Sequence, residues 1–152
     1  MSELKDRLRA DLTASMKHRD EVRTRTLRMV LTEISKEEVS GSAAHELDDA
    51  QIERVLAREA KRRREAAEAF TSAGRADQAT AELAEGDVLA EYLPAQLDDA
   101  ELTGLVAEAI AAAGAAGPGA MGQIMKAVTP EVAGRAEGSR VAAEVRRQLA
   151  AG

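Results

Sequence analysis

At 152 residues, with a net charge of −6 and 32% charged residues, the chain has room for one domain or two small ones, and for a core burying roughly 68–70% of its unfolded surface. It has no cysteine, which excludes disulfides, thiolate zinc sites and cysteine nucleophiles, and with one Phe, one Tyr and no Trp its core must be aliphatic. No apolar run approaches the ~18 residues of a membrane span, and the opening MSELKDRLRADL reads as an amphipathic helix rather than a signal peptide, so a soluble cytoplasmic protein is expected.

Apolar residues recur at helical spacing from end to end. Leu4, Leu8, Leu12 and Met16 mark a first helix, and Leu27, Val30, Leu31 and Ile34 a second. The stretch SGSAAHE, residues 40–46, is the loop that follows. Ile52, Val55, Leu56, Ala66, Ala67 and Phe70 form the stripe of a long third helix, which Gly74 ends in the C′ position. Leu83, Val88, Leu89, Tyr92 and Leu93 define a fourth, closed by Pro94. Leu102, Leu105, Val106, Ala109 and Ile110 mark a fifth, and Met121, Ile124, Met125 and Val128 a short sixth. Thr129-Pro130 reads as a further helix start with Pro at the first position, and Val141, Val145 and Leu149 belong to the last helix. Two starts share one design: Leu47-Asp48-Asp49-Ala50-Gln51-Ile52 and Leu97-Asp98-Asp99-Ala100-Glu101-Leu102 each combine a capping box with a hydrophobic staple. No segment alternates long enough for a strand. The expected fold is all-α, with an N-terminal helical bundle over residues 1–93 and a small helical domain over 94–152.

Charge is unevenly spread. Residues 1–73 hold 15 Lys/Arg and 15 Asp/Glu; residues 74–152 hold 6 and 12. The global field therefore disfavours non-specific binding to a polyanion, and nucleic-acid contact needs a local patch. The run Lys61-Arg62-Arg63-Arg64 is such a patch, but its members point in different directions. At about 100° per residue, Arg63 falls on the apolar stripe with Glu59 one turn earlier. These two are expected to bond to each other or to a neighbouring helix, because a buried charge must be paired. Lys61 points the opposite way beside Arg54 and Arg58, and Arg62 and Arg64 flank it. A solvated helix face and a phosphate-binding face are both consistent with that strip.

Self-contained chemistry is not apparent. Gly117-Pro-Gly119-Ala-Met-Gly122 matches GxGxxG, yet it follows an Ala-rich helix rather than a strand; it reads as a flexible loop feeding the sixth helix, with a weak claim as an RNA-backbone contact. There is no Walker A sequence and no GxSxG turn. His18 and His45 sit in separate polar stretches, so neither a metal site nor a cofactor is expected. Aromatic platforms for base stacking are missing.

From Arg64 onward the sequence carries a specific pattern. Arg64-Glu65-Ala66-Ala67-Glu68-Ala69-Phe70 is followed by Ala73-Gly74-Arg75-Ala76-Asp77, Glu82, Glu85 and Val88-Leu89-Ala90-Glu91-Tyr92-Leu93-Pro94-Ala95-Gln96-Leu97. With Met121-Gly122-Gln123-Ile124-Met125, Gly134-Arg135-Ala136-Glu137-Gly138, Leu4-Lys5 and Thr26-Leu27-Arg28, it resembles the YqeY-like family over nearly the full length. That family is related to the tail domain of the B subunit of the tRNA-dependent amidotransferase (GatB). The resemblance implies a helical bundle, a small three-helix C-terminal domain and tRNA contact. By analogy it also implies a carbon–nitrogen ligase with glutamine as amido donor, acting with amidotransferase subunits supplied in trans. Glu137 stands where the family often has Asp, and Ser139 is the expected cap of the last helix. Salt-bridged packing between the third and fourth helices accounts for the motif residues as well as ligand binding does.

Three readings stay open. The first is an accessory tRNA- or RNA-binding protein without catalysis of its own, contacting phosphate through Arg58, Lys61, Arg62 and Arg64, Arg75 at the helix end, and Lys126 and Arg140 in the small domain. The second is a component of glutamine-dependent amidation. The third is a protein-interaction module without RNA.

Overall fold

The computed structural model describes residues 2–151. Helix α1 spans Glu3–Lys17, α2 Glu21–Glu38, α3 Asp49–Ser72 and α4 Ala76–Ala90. Helix α5 spans Asp99–Ala113; a single 3-10 turn over Pro118–Ala120 leads into α6, Met121–Val132, and α7 covers Gly138–Ala151. No strand occurs among the described residues, so the fold is all-α. The chain divides into two compact units between Leu93 and Pro94.

In the first unit, Leu8 of α1, Leu27, Val30 and Ile34 of α2, Ile52, Val55 and Leu56 of α3, and Leu89 of α4 form the aliphatic centre. Its open end is closed by polar ties. Lys5 Nζ donates to Glu38 Oε1 (2.6 Å) and the Leu47 N–H donates to Glu38 Oε2 (3.1 Å), which joins α1, the end of α2 and the loop before α3. These two donors hold the Glu38 carboxyl below the usual carboxylate range, the Lys5 bond contributing most. At the unit's last residues, the Tyr92 hydroxyl donates to Asp11 Oδ2 (2.5 Å), while Arg7 stacks over the ring at 4.6 Å. Burial, then the bond to Asp11, pushes the Tyr92 phenol well above its ordinary value, so it remains a donor at any working pH.

Both capping boxes form. Asp48 Oδ1 accepts from the Gln51 N–H (2.8 Å), and Asp98 Oδ1 from the Glu101 N–H (2.7 Å). Gln51 and Glu101 each return a bond to the cap's own N–H, and Leu47–Ile52 and Leu97–Leu102 are buried as staples.

Three expectations change. Thr129-Pro130 does not start a helix: Pro130 lies in the last turn of α6. The apolar line Ile124–Val128–Val132 carries the helix past the proline, and the missing bond frees only the carbonyl of exposed Lys126. Ser139 is inside α7 rather than capping it, because the first intrahelical bond runs from the Val141 N–H to Glu137 O (3.0 Å). Leu83 does not join the core and is 53% exposed. Helix α4 turns the line Ala79–Glu82–Gly86–Leu89 toward α3, and a Cβ on Gly86 would lie 3.7 Å from Arg63 Cβ. Small residues there let α3 and α4 approach closely, and Leu83 is rotated to the outside.

The second unit packs Leu102 and Val106 of α5, Ile124 and Val128 of α6, and Val141, Val145 and Leu149 of α7. Its polar edge is Glu144, which accepts from Arg147 Nε (3.0 Å), Gln148 Nε2 (2.8 Å) and Thr103 Oγ1 (3.1 Å). Arg147, followed by Gln148, holds the Glu144 carboxyl down at about 2. The folded-state value lies below the unfolded one, so this group's stabilisation is complete above about pH 4.5 and is lost as pH falls toward 2. In acid titrations of stability followed by urea denaturation, Glu144→Gln is expected to flatten the pH dependence between those two limits relative to the parent chain; an unaltered slope would show that the carboxylate does not carry it.

Candidate nucleic-acid interface

The surface candidate is built on α3, and its orientation is set from inside. Glu59 is 1% exposed and Arg63 13%, and their side chains meet at 3.6 Å (Nη2 to Oε2). Arg63 also reaches α4: its Nε lies 2.9 Å from Glu85 Oε2 and 3.6 Å from Glu82 Oε2. Neither approach has hydrogen-bond alignment, so Arg63 Nε and Glu82 Oε2 are held by charge alone. Arg63 Nη2 touches Met29 Sδ of α2. The carboxylates are shared in turn: Glu59 Oε1 accepts from Arg62 Nη1 (3.1 Å) and Glu85 Oε1 from Arg25 Nε (3.0 Å). Glu59, Glu82 and Glu85 thus face Arg62, Arg63 and Arg25, and the expected pairing of Glu59 with Arg63 is present along with contacts to neighbouring helices.

With Arg63 inward, Arg54, Arg58 and Lys61 share the outer side of α3 at i, i+4 and i+7 spacing, all exposed. Arg58 Nη2 bonds Glu37 of α2, and Lys61 Nζ is 4.0 Å from Glu65 Oε1. Arg62 is exposed but engaged with the buried Glu59, and Arg64 is exposed on the flank. Arg75 is exposed in the turn between α3 and α4. The remaining two candidates belong to the second unit. Lys126 is exposed on α6. Arg140 donates to Leu97 O (2.8 Å) and to Asp99 Oδ1 (2.9 Å), which fastens the start of α5 to α7. The structure therefore brings Arg58, Lys61, Arg62 and Arg64 onto one helix, and uses Arg140 as a clasp.

Sequence reasoning passed over a second concentration of cations at the turn between α1 and α2: Lys17, Arg19, Arg23, Arg25 and Arg28. No run of adjacent basic residues marks it; Arg19, Arg25 and Arg28 line one cleft, while Arg23 turns to Asp20 and Glu91.

The motif residues are mostly structural. Gln96 Nε2 donates to Pro94 O and Gly134 O (2.8 Å each), the Leu97 N–H donates to Arg135 O (2.8 Å), and Arg135 Nε donates to Ala95 O (3.1 Å). The Pro94 ring lies 3.5 Å from where a Cβ on Gly134 would be. The Pro-x-Gln and Gly-Arg-x-Glu-Gly segments thus form one strap, and Glu82 and Glu85 enclose Arg63.

Residues 5–149 match the family described as Yqey-like protein. The chain belongs to the YqeY-like family. A comparison with curated proteins gives no match. Among the described residues, no single helix of this YqeY-like protein is long and apolar enough to cross a membrane.

Removing Arg63 while leaving Glu59 buried is expected to be severe. Arg63→Met should destabilise the first unit by about 3–5 kcal/mol, and Glu59→Leu combined with Arg63→Met should recover most of the loss. Urea denaturation of the single and double variants checks this; equal losses in both would mean that the pair itself, rather than an uncompensated charge, sets the stability.

Proposed function

We propose that this YqeY-like protein is a non-catalytic accessory protein that docks on RNA, tRNA foremost, by laying the outer face of α3 along phosphates. The observation that carries this reading is the division of charge on α3. Arg63 is spent inside the bundle, while Arg54, Arg58 and Lys61 stand together outside. Arg58 is 46% exposed and Lys61 49%, and the carboxylates beside them are themselves accessible. Exposed ion pairs of this kind contribute about 0–1 kcal/mol, so phosphate oxygens displace Glu37 and Glu65 at small cost. Lys and Arg contacts of this type position the backbone without reading sequence. Tyr92 is buried and occupied by Asp11, so it offers no stacking platform. The relation of the family to the amidotransferase tail gives further support for tRNA as the partner.

A protein-binding role is favoured by a different observation, the exposure of Leu83 on α4 and of Val39 after α2, at 53% and 70%. The amidation reading rests on family resemblance and requires amide formation from Glu-tRNA that depends on this protein and added amidotransferase subunits.

Fluorescence anisotropy with total tRNA at two salt concentrations separates these. The parent chain should bind at low salt and weaken as salt rises. Arg54→Glu/Arg58→Glu/Lys61→Glu should weaken binding by about tenfold or more and reduce the salt slope by about three, one for each phosphate no longer neutralised. No binding by the parent chain at low salt, or full binding by the variant, overturns the α3 interface and moves the weight to the exposed apolar residues.

A further inference from the structure

The end of α1 is made in an unusual way. The helix closes with the bond pair of a Schellman motif: the Arg19 N–H donates to Met16 O (3.3 Å) and the Asp20 N–H to Ser15 O (3.0 Å). Helix α3 closes with the same pair, from the Gly74 N–H to Thr71 O (3.1 Å) and from the Arg75 N–H to Phe70 O (2.8 Å). The two ends differ in the residue that must turn left-handed. In α3 it is Gly74, at φ 75°; in α1 it is Arg19, at φ 54°. Among the described residues, every other positive φ belongs to a glycine. An L side chain at that position crowds its own carbonyl, a strain glycine avoids. Retained strain of this kind points to a use for the side chain.

The surroundings show what the use is. Arg19 lines an open cleft of about 790 Å³ together with Met16, Glu21, Thr24, Arg25 and Arg28. Three guanidiniums face one carboxylate there. Arg25 shares Glu85 of α4 and is still 57% exposed. Arg28 Nη2 meets only a neutral acceptor, Met16 Sδ at 3.2 Å. A guanidinium carries five N–H donors in a planar fork and pairs best with carboxylate or phosphate oxygens, two at a time. The cleft is wide, positively charged and floored by a thioether that makes no demand on charge. We propose that this α1–α2 cleft is a phosphate-binding site, in which Arg19 and Arg28 grip the anion and Arg25 supports them. The phosphate can come from an RNA backbone or from a small phosphorylated molecule; the recognising chemistry is the same. This site is separate from the outer face of α3 and does not depend on it.

The probes are sodium pyrophosphate, by isothermal titration calorimetry, and total tRNA, by anisotropy, on the parent chain, Arg19→Gly and Arg28→Gln. Each substitution removes charge-assisted bonds and should weaken binding about tenfold or more. Arg19→Gly should at the same time raise the melting temperature by about 2–4 °C, because it relieves the left-handed residue. That opposition, a more stable protein with a weaker ligand, is not produced by a purely structural arginine. Weakening of pyrophosphate binding in both variants assigns the site to small phosphates. Weakening of tRNA binding alone in both assigns it to the RNA backbone. The proposal falls if the parent chain binds neither probe, or if either variant binds both probes as tightly as the parent. The α3 triple variant should bind pyrophosphate unchanged, so loss of the α3 interface and loss of this cleft are read separately.

Discussion

An inward-turned cation, Arg63, organises the contact between α3 and α4 in the first unit. Arg63 stands on the apolar stripe of α3, where a leucine would pack without electrostatic cost. Desolvating a guanidinium costs several kcal/mol unless its surroundings return the interaction. Here they do so from three helices: Glu59 from α3 itself, Glu82 and Glu85 from α4, and the Met29 thioether from α2. The arrangement dictates what α4 can present. Carboxylates at Glu82 and Glu85 need room to reach the guanidinium, so Ala79 and Gly86 face α3, and Leu83 is left outside. An apolar residue is exposed on α4 because a charged one is turned inward on α3.

The same network separates interior charge from surface charge. Arg62 and Arg25 complete the coordination of Glu59 and Glu85 from the rim, so three cations and three carboxylates balance. The outer cations take no part in that balance. Arg54, Arg58 and Lys61 on α3, and Arg19 and Arg28 near the α1–α2 turn, are tied weakly or to neutral atoms. In a chain of net charge −6, such groups attract an anion only at close range, where the local field outweighs the global one. Contacts that such cations make with phosphate are short-ranged, salt-sensitive and indifferent to base identity.

Much of this was legible in the sequence. The helical period gave the all-α class, because no strand could hide in an uninterrupted 3.6 repeat. Capping chemistry placed the starts of α3 and α5, since Asp48 and Asp98 satisfy N–H groups through contacts entirely local in sequence. The inward turn of Arg63 followed from angular arithmetic on one helix. Two of the failures share a cause: the deciding contact was with a residue outside the local pattern. Pro130 reads as a start when only its ring is considered, and as a tolerated last-turn residue once Val132 is seen to be buried. Leu83 reads as core until α4 must make room for Arg63. Arg19 carries no local mark at all, since its left-handed backbone is set by the turn joining α1 to α2.

The family signature marks the scaffold more than the surface. Pro94, Gln96, Gly134 and Arg135 are consumed by the strap that ties the segment before α5 to the loop between α6 and α7, and Glu82 and Glu85 by the Arg63 network. Tyr92 is held by Asp11 and Arg7. Side chains already satisfied by their own protein have little left to offer a ligand, because every bond made to phosphate or peptide would first break an internal one in a partly buried setting. Exposed cations whose partners are solvent, a thioether or an accessible carboxylate carry no such cost. The physical criterion for a binding residue in this fold is therefore unspent bonding capacity rather than membership of the motif, and it is the outer face of α3 and the cleft around Arg19 that keep such capacity.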